Sequence, residues 1–431
     1  MTRPAEASLL TAAAIVAAFG VALVNFARDD GVDAQVALTF GVFAMAFGAM
    51  YWATERWASR STPLLFPLVA LLTAVGFIEV YRIDPGLGSD QRWWLLASAG
   101  AAVLVLWWLR DEGVALLRRY RYLFLVGAIG LLLMPLLPES WPLHGAEING
   151  SRLWVRLDLP GTPDAASFQP GEVAKLLVVA FLASFLAERH QTLRVMQRKI
   201  GPVHVPEPRQ AVPVLIAFGM AFVVLIYQRD LGASLLLFAV FVTMLYAATG
   251  RHSYLAGGGF LAIGGGVAAW LAFDHVQVRV SAWLHPFDDF LGTGYQVAQS
   301  LFALGSGSLT GSGLGIGRPD LIPAAATDYV FAAVAEETGL AGSMAVLAGF
   351  ALLVGVGMGV AIHSRDLFRK LLAAGLTLTL GIQTFLIIAG VVRLLPVTGI
   401  ALPFMSYGGS SLLANMVAVA LLVRISHEER T

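Results

Sequence analysis

Residues 371–392 read LLAAGLTLTLGIQTFLIIAGVV, twenty-two positions without an acid or a base. A helix rises about 1.5 Å per residue, so roughly 20 apolar residues cross a hydrocarbon layer about 30 Å thick. This run therefore predicts a membrane span. Eleven further stretches meet or approach the same length: 8–27, 33–52, 62–81, 93–109, 120–137, 170–187, 211–227, 230–249, 255–273, 342–362 and 408–425. Composition agrees, with 58% hydrophobic and 13% charged residues in a chain of 431 and a mean hydropathy of +0.75, values a soluble domain of this length does not sustain. We expect an all-α polytopic membrane protein of about twelve transmembrane helices. Arg3 ahead of an Ala-rich run gives the first span weak signal-peptide character, but it lacks a cleavage site and a second span follows at once, so it reads as a retained helix.

Connecting loops set the orientation. With the N-terminus inside, eighteen Lys and Arg fall on the cytoplasmic side and nine on the other, with Lys175 inside a span. The positive side faces the cytoplasm, which places both termini there and turns the loops 138–169 and 274–341 outward. Zero net charge argues against nucleic-acid binding, and the absence of Cys excludes disulfides, thiol catalysis and Cys-based metal sites. No repeat or appended soluble domain is visible, so the chain reads as one membrane domain. Its longest cytoplasmic connection, Glu188–Gln210, mixes bases with three prolines and suits anionic lipid headgroups.

Four polar constellations stand out. Asn149–Trp154 precedes Gln169-Pro-Gly-Glu-Val-Ala-Lys175 at the mouth of the sixth span, where Glu172 and Lys175, at i,i+3, can pair and should point into the bundle rather than at lipid. Such a pair either fixes helix packing or lines the floor of an outward site. Asp230, in a tight turn, suits a helix N-cap. The stretch 285–342 carries glycines, hydroxyls, amides and Asp328. Its glycines lack the Gly-Lys-Ser/Thr and the preceding strand of a nucleotide loop, and Tyr295–Leu301 reads as a short amphipathic or re-entrant helix. Finally, Leu394–Ser411, with two prolines, forms a broken lead-in to the last span.

Taken in order, Asn149–Trp154, Gln169–Lys175, Gly294-Tyr-Gln296 with Gln299-Ser300, Thr327-Asp-Tyr329, Glu336-Glu337 and Pro403–Ser411 resemble the SEDS proteins of shape, elongation, division and sporulation, the RodA/FtsW glycosyltransferases. Arg393 within Val-Val-Arg-Leu-Leu-Pro looks more RodA-like than FtsW-like. The resemblance runs from about Asn149 to the C-terminus. Twelve spans exceed the ten of smaller members, so residues 1–60 are expected to be two additional helices ahead of a membrane domain at 61–431. The family implies polymerisation of lipid II on the outer face of the bacterial cytoplasmic membrane, during elongation or division, in partnership with a class B penicillin-binding protein. Its key aspartate falls on Asp328. Where many members place Glu and His after the proline, Pro323 is here followed by Ala324, Ala325 and Ala326.

An α-linked sugar pyrophosphate giving a β-1,4 linkage needs one inverting displacement, with a base for the acceptor hydroxyl and positive charge for the leaving group. Asp328 suits the base, although its place ahead of 330–340 also suits a helix N-cap. Arg152, Arg279 and Arg318 are outward cations able to contact phosphate in bidentate fashion, and Trp154 suits a sugar face. With Glu172, Lys175, Gln296, Gln299, Ser300, Thr327, Ser406, Tyr407 and Ser410 they make up the expected substrate-binding set. A divalent cation could share the pyrophosphate's charge, but too few carboxylates cluster in sequence to assign a metal site. A lipid-precursor flippase and a non-catalytic scaffold are the competing readings.

Overall fold

Backbone amides in hydrocarbon must be satisfied internally, and helices do so within one segment. The computed structural model of the chain has that form. It describes residues 3–148 except 29, 30 and 32, then 151–157, 166–200 except 196, 203–206, 219 and 230–430. The helices are α1 (Arg3–Ala27), α2 (Ala34–Trp57), α3 (Leu65–Ile83), α4 (Pro85–Trp108), α5 (Ala115–Arg119), α6 (Arg121–Leu133), α7 (Pro170–Val195), α8 (Leu231–Thr249), α9 (His252–Ala272), α10 (Asp274–Leu284), α11 (Tyr295–Gly307), α12 (Val330–His363), α13 (Leu367–Val391) and α14 (Gly409–Glu429).

Among the described residues, nine of these are long and apolar enough to cross a membrane: α1, α2, α3, α7, α8, α9, α12, α13 and α14. Helix α4 covers the expected span 93–109 up to Trp108 but begins earlier, because the Asp84 side chain accepts from the Gly86 amide at 2.7 Å and Pro85 suits the first turn. Helix α6 covers only part of 120–137. The expected span 211–227 lies outside the described residues. The uncharged run 371–392 becomes α13, buried almost throughout against α7, α8 and α12, whereas α9 is exposed along nearly its whole length.

The fold departs from all-helical in two connections. Residues 138–169 hold a three-stranded antiparallel sheet, β1 (Leu143–Ile148), β2 (Ser151–Leu157) and β3 (Ala166–Phe168), and residues 188–210 hold a hairpin, β4 (Gln197–Ile200) with β5 (Val203–Pro206). The period-two alternation of Arg152, Trp154 and Arg156 with Leu153 and Val155 is the strand signal in the sequence.

The stretch 274–341 is mostly helical rather than loop. It contains α10, α11 and the first part of α12, which breaks at Gly339 (φ 67°, ψ −164°). Here glycine is required twice over. The positive φ disfavours a side chain, and a Cβ would fall 2.3 Å from the Gly311 amide nitrogen. Amides freed by the break find carbonyls after α11: Leu340 donates to Ser308 at 3.0 Å and Ala341 to Leu309 at 3.2 Å. A half-helix, residues 330–339, is thereby latched at the head of the span.

Candidate active site

Asp328 sits in the turn that feeds this half-helix. Ala324 takes a positive φ of 57°, and its carbonyl collects the amides of Thr327 (3.1 Å), Asp328 (3.1 Å) and Tyr329 (3.3 Å) together with the Thr327 hydroxyl (3.2 Å). Ala325, Ala326 and Tyr329 are buried beneath it. The small side chains after Pro323 thus permit a tight, inward-facing turn. Helix α12 starts without a side-chain cap, so the Asp328 carboxylate is not engaged in capping and remains available. It is half-buried, and burial pushes its pKa up to about 6 against the opposing pull of the Arg279 charge and the Thr327 hydroxyl.

The broken lead-in to α14 holds this turn from the other side. Ser406 donates its hydroxyl to the Thr327 carbonyl and accepts from the Leu402 amide at 2.9 Å, while the Tyr407 amide donates to the Ala326 carbonyl at 2.7 Å. Arg279, on α10, donates to the carbonyls of Thr398 (2.9 Å) and Val397 (3.4 Å). One arginine therefore both fixes the lead-in and supplies positive charge beside Asp328.

Below lies the ion pair. Glu172 and Lys175 are 5% and 3% exposed and meet at 2.9 Å, as expected of a pair facing the bundle. Lys175 also donates to Gln383 Oε1 at 3.1 Å, and Gln383 Nε2 donates to the Ala401 carbonyl at 2.7 Å. Gln383 is absent from the expected set, yet it is the one carboxamide in the run 371–392, and that isolation was a legible signal. Asp230 caps α8 by accepting the Ala233 amide at 2.9 Å.

Other expected residues are placed elsewhere. Arg152 pairs with Glu139 (3.5 Å) and Glu147 (3.6 Å) around its own hairpin, and Trp154 is half-buried on the same strand. Arg318 is 65% exposed and pairs with Asp320 at 3.3 Å. Ser300 is buried and donates to the Val391 carbonyl at 3.2 Å, Gln299 is half-buried and Gln296 exposed. Ser410 accepts the Gln169 amide at 2.8 Å, which ties the start of α7 to α14.

An apolar cavity of about 380 Å³ opens beside the half-helix, lined by Leu304, Phe331, Leu340, Met344, Ile388 and their neighbours on α11, α12 and α13. Its lining includes Ser343, Met344 and Leu347 from the span that follows the stretch 274–341, and no residue of α7.

The family profile described as cell cycle protein, covering FtsW, RodA and SpoVE, matches residues 55–431. Peptidoglycan glycosyltransferase RodA of Mycobacterium tuberculosis is 39% identical over 99% of this chain and 91% of its own length. Stage V sporulation protein E of Bacillus subtilis is 32% identical over 85% of this chain and 97% of its own. Among solved structures, a chain from a study of how a peptidoglycan synthase complex coordinates polymerization and crosslinking superposes with a TM-score of 0.66 at 26% identity, covering 86% of this chain and 98% of that one. The crystal structure of Thermus thermophilus rod shape determining protein RodA superposes with a TM-score of 0.57 at 26% identity, over 86% of this chain and 97% of that one.

Proposed function

The chain belongs to the FtsW/RodA/SpoVE family and is a multi-pass peptidoglycan glycosyltransferase, and we propose that it polymerises lipid II with Asp328 as the general base. The observation that carries this reading is the half-buried Asp328 carboxylate, free of the helix cap and faced by Arg279. With its pKa pushed up to about 6, Asp328 is ionised at neutral pH yet basic enough to take the proton of the acceptor 4-hydroxyl. The hydroxyl oxygen then attacks C1 of the donor sugar from the face opposite the pyrophosphate. The C1–O bond to the lipid pyrophosphate breaks, the configuration inverts, and the proton rests on Asp328 until solvent removes it. Arg279, whose charge reaches Asp328, is the cation proposed to neutralise the leaving pyrophosphate, and its bonds to the carbonyls of Val397 and Thr398 hold it.

A divalent cation that shares the pyrophosphate's charge is an auxiliary the proposal allows, and no group of three His, Cys, Asp or Glu side chains among the described residues is gathered to hold it. The excess of Lys and Arg on one set of loops supports both termini in the cytoplasm and the Asp328 end facing outward, in the bacterial cytoplasmic membrane. A class B penicillin-binding protein is the proposed partner, supported by likeness to a chain from a synthase complex that coordinates polymerization and crosslinking. Purified protein given fluorescent lipid II, with and without that partner, tests the reading: glycan polymer should form and should vanish with Asp328→Asn. Transbilayer movement of lipid II without polymer would overturn it in favour of a flippase.

A further inference from the structure

Helix α1 and most of α2 precede the segment matched by the family profile, which begins at residue 55. The mycobacterial relative nevertheless aligns over 99% of this chain. These two helices pack against α3 and α4, and three polar contacts tie them there. Tyr81 donates to Asn25 Oδ1 at 3.0 Å, Arg28 to the Arg82 carbonyl at 2.6 Å, and Arg92 to Gln35 Oε1 at 2.7 Å. The C-terminal end of α1 also touches the glycine-rich turn that follows α11. A Cβ on Gly315 would lie 2.6 Å from the Ala27 Cβ and 3.8 Å from the Val24 Cα, and Gly315 has a φ of +83°.

That turn is bound on its other side to the half-helix behind Asp328. The Gly315 amide donates to Glu337 Oε2 at 2.9 Å and the Arg318 amide to Glu336 Oε1 at 3.0 Å, while Ser312 and Gly313 donate their amides to the carbonyls of Glu336 (2.9 Å) and Glu337 (3.0 Å). Arg82 completes the joint. Its guanidinium reaches Glu337 Oε1 at 3.1 Å and the Gly317 carbonyl at 2.9 Å, and its own carbonyl is the one Arg28 holds. Glu336 and Glu337 are buried, and Glu337 lies nine residues along the half-helix from Asp328. A continuous set of contacts therefore runs from α1 through Gly315 and Arg82 to the segment that aims the carboxylate.

We propose that the N-terminal helix pair is a strut for catalysis, with Ala27 and Arg28 as positioning residues that seat the Gly315 turn against Glu337 and so hold the half-helix carrying Asp328. The proposal rests on Asp328 being the general base. Displacing a catalytic group by a fraction of an ångström slows the chemical step without weakening substrate binding, so the signature is a loss in kcat at constant KM.

The test uses the full chain with its partner and lipid II. Gly315→Ala should lower kcat on the order of tenfold with KM held, while the positive φ and the clash with Ala27 lower the thermal midpoint modestly. Adding Ala27→Gly, which removes the opposing methyl, should recover a large part of that loss, although the strained φ remains. Arg28→Ala should lower kcat in the same sense, and Arg28→Lys, which keeps a donor for the Arg82 carbonyl, should restore it. The strut is wrong if Arg28→Ala keeps the wild-type kcat, or if Ala27→Gly recovers none of the Gly315→Ala loss. Asp328→Asn measured alongside separates the two ideas: activity surviving there defeats the base assignment, whatever the Arg28 and Gly315 variants do.

Discussion

Ser406 donates its hydroxyl to the carbonyl of Thr327, the residue before Asp328. Seventy-nine positions separate the two in sequence, and the bond fixes the Asp328 turn to the lead-in of the last span. With the Tyr407 amide on Ala326, it makes the position of Asp328 a property of two distant segments rather than of its own loop.

Ser406→Ala should therefore slow polymerisation on the order of tenfold through kcat, because the turn gains freedom while its substrate contacts remain. Steady-state kinetics on lipid II check this. A rise in KM at unchanged kcat would mean that Ser406 meets substrate instead.

Asp328→Asn keeps the size of the side chain and removes the base. Polymer formation should fall by about two orders of magnitude or more, the usual scale for a general base. Gel analysis of glycan strands from the purified variant would show it. Polymer formed at the wild-type rate would refute the mechanism.

The acidity of Asp328 sets a pH profile. Only the ionised carboxylate accepts a proton, so kcat/KM should rise with pH through an inflection near 6, the value to which burial pushes Asp328. Arg279 pulls this pKa down, so Arg279→Ala should move the inflection to higher pH as well as reduce the maximum. An acid limb that stays put in the Arg279 variant would disconnect the two residues. Stability should respond in the opposite sense. A carboxyl group whose folded pKa is raised from 3.8 to about 6 favours the fold below about pH 4 and loses that contribution as pH rises through 6. Asp328→Asn should accordingly leave the thermal midpoint unchanged near pH 4 and raise it at pH 8.

Glu172→Ala and Lys175→Ala should each destabilise the protein more than the double replacement, since either one strands a buried charge, at a cost of roughly 3 kcal/mol or more. The partner that remains is 3% or 5% exposed, and Lys175 alone would keep its bond to Gln383. Thermal midpoints around the double-mutant cycle give the coupling, and strict additivity would mean that the contact is not made.

A donor lacking its polyprenyl tail should be a poor substrate if, as proposed, lipid II reaches the Asp328 site laterally from the bilayer. Rates for tail-less and full-length donors at saturation decide the matter. Equal rates would rule out lateral access.

Much of this molecule was written in its hydropathy. Runs such as 371–392 specify helices because nothing else satisfies amides in lipid, and their lengths marked out spans, nine of which stand among the described residues as helices long enough to cross. The ordered segments from Asn149 to Ser411 gave the family and singled out Asp328. Burial of the Glu172–Lys175 pair followed from the expense of charge at a lipid boundary.

What sequence alone left open was which residues meet. Arg152, Arg279 and Arg318 were equivalent as outward cations, yet Arg152 is drawn into a hairpin with Glu139 and Glu147, Arg318 turns to Asp320, and Arg279 alone of the three acts on Asp328. Helical periodicity fixes the face of a helix but not its neighbours. The joints that choose them, Gly339 against Gly311, Gln383 between Lys175 and Ala401, Ser406 on Thr327, are backbone and single-hydrogen-bond contacts between segments far apart in the chain. They exist only once the helices have packed, because packing brings those few polar groups within bonding distance and leaves them no water to prefer.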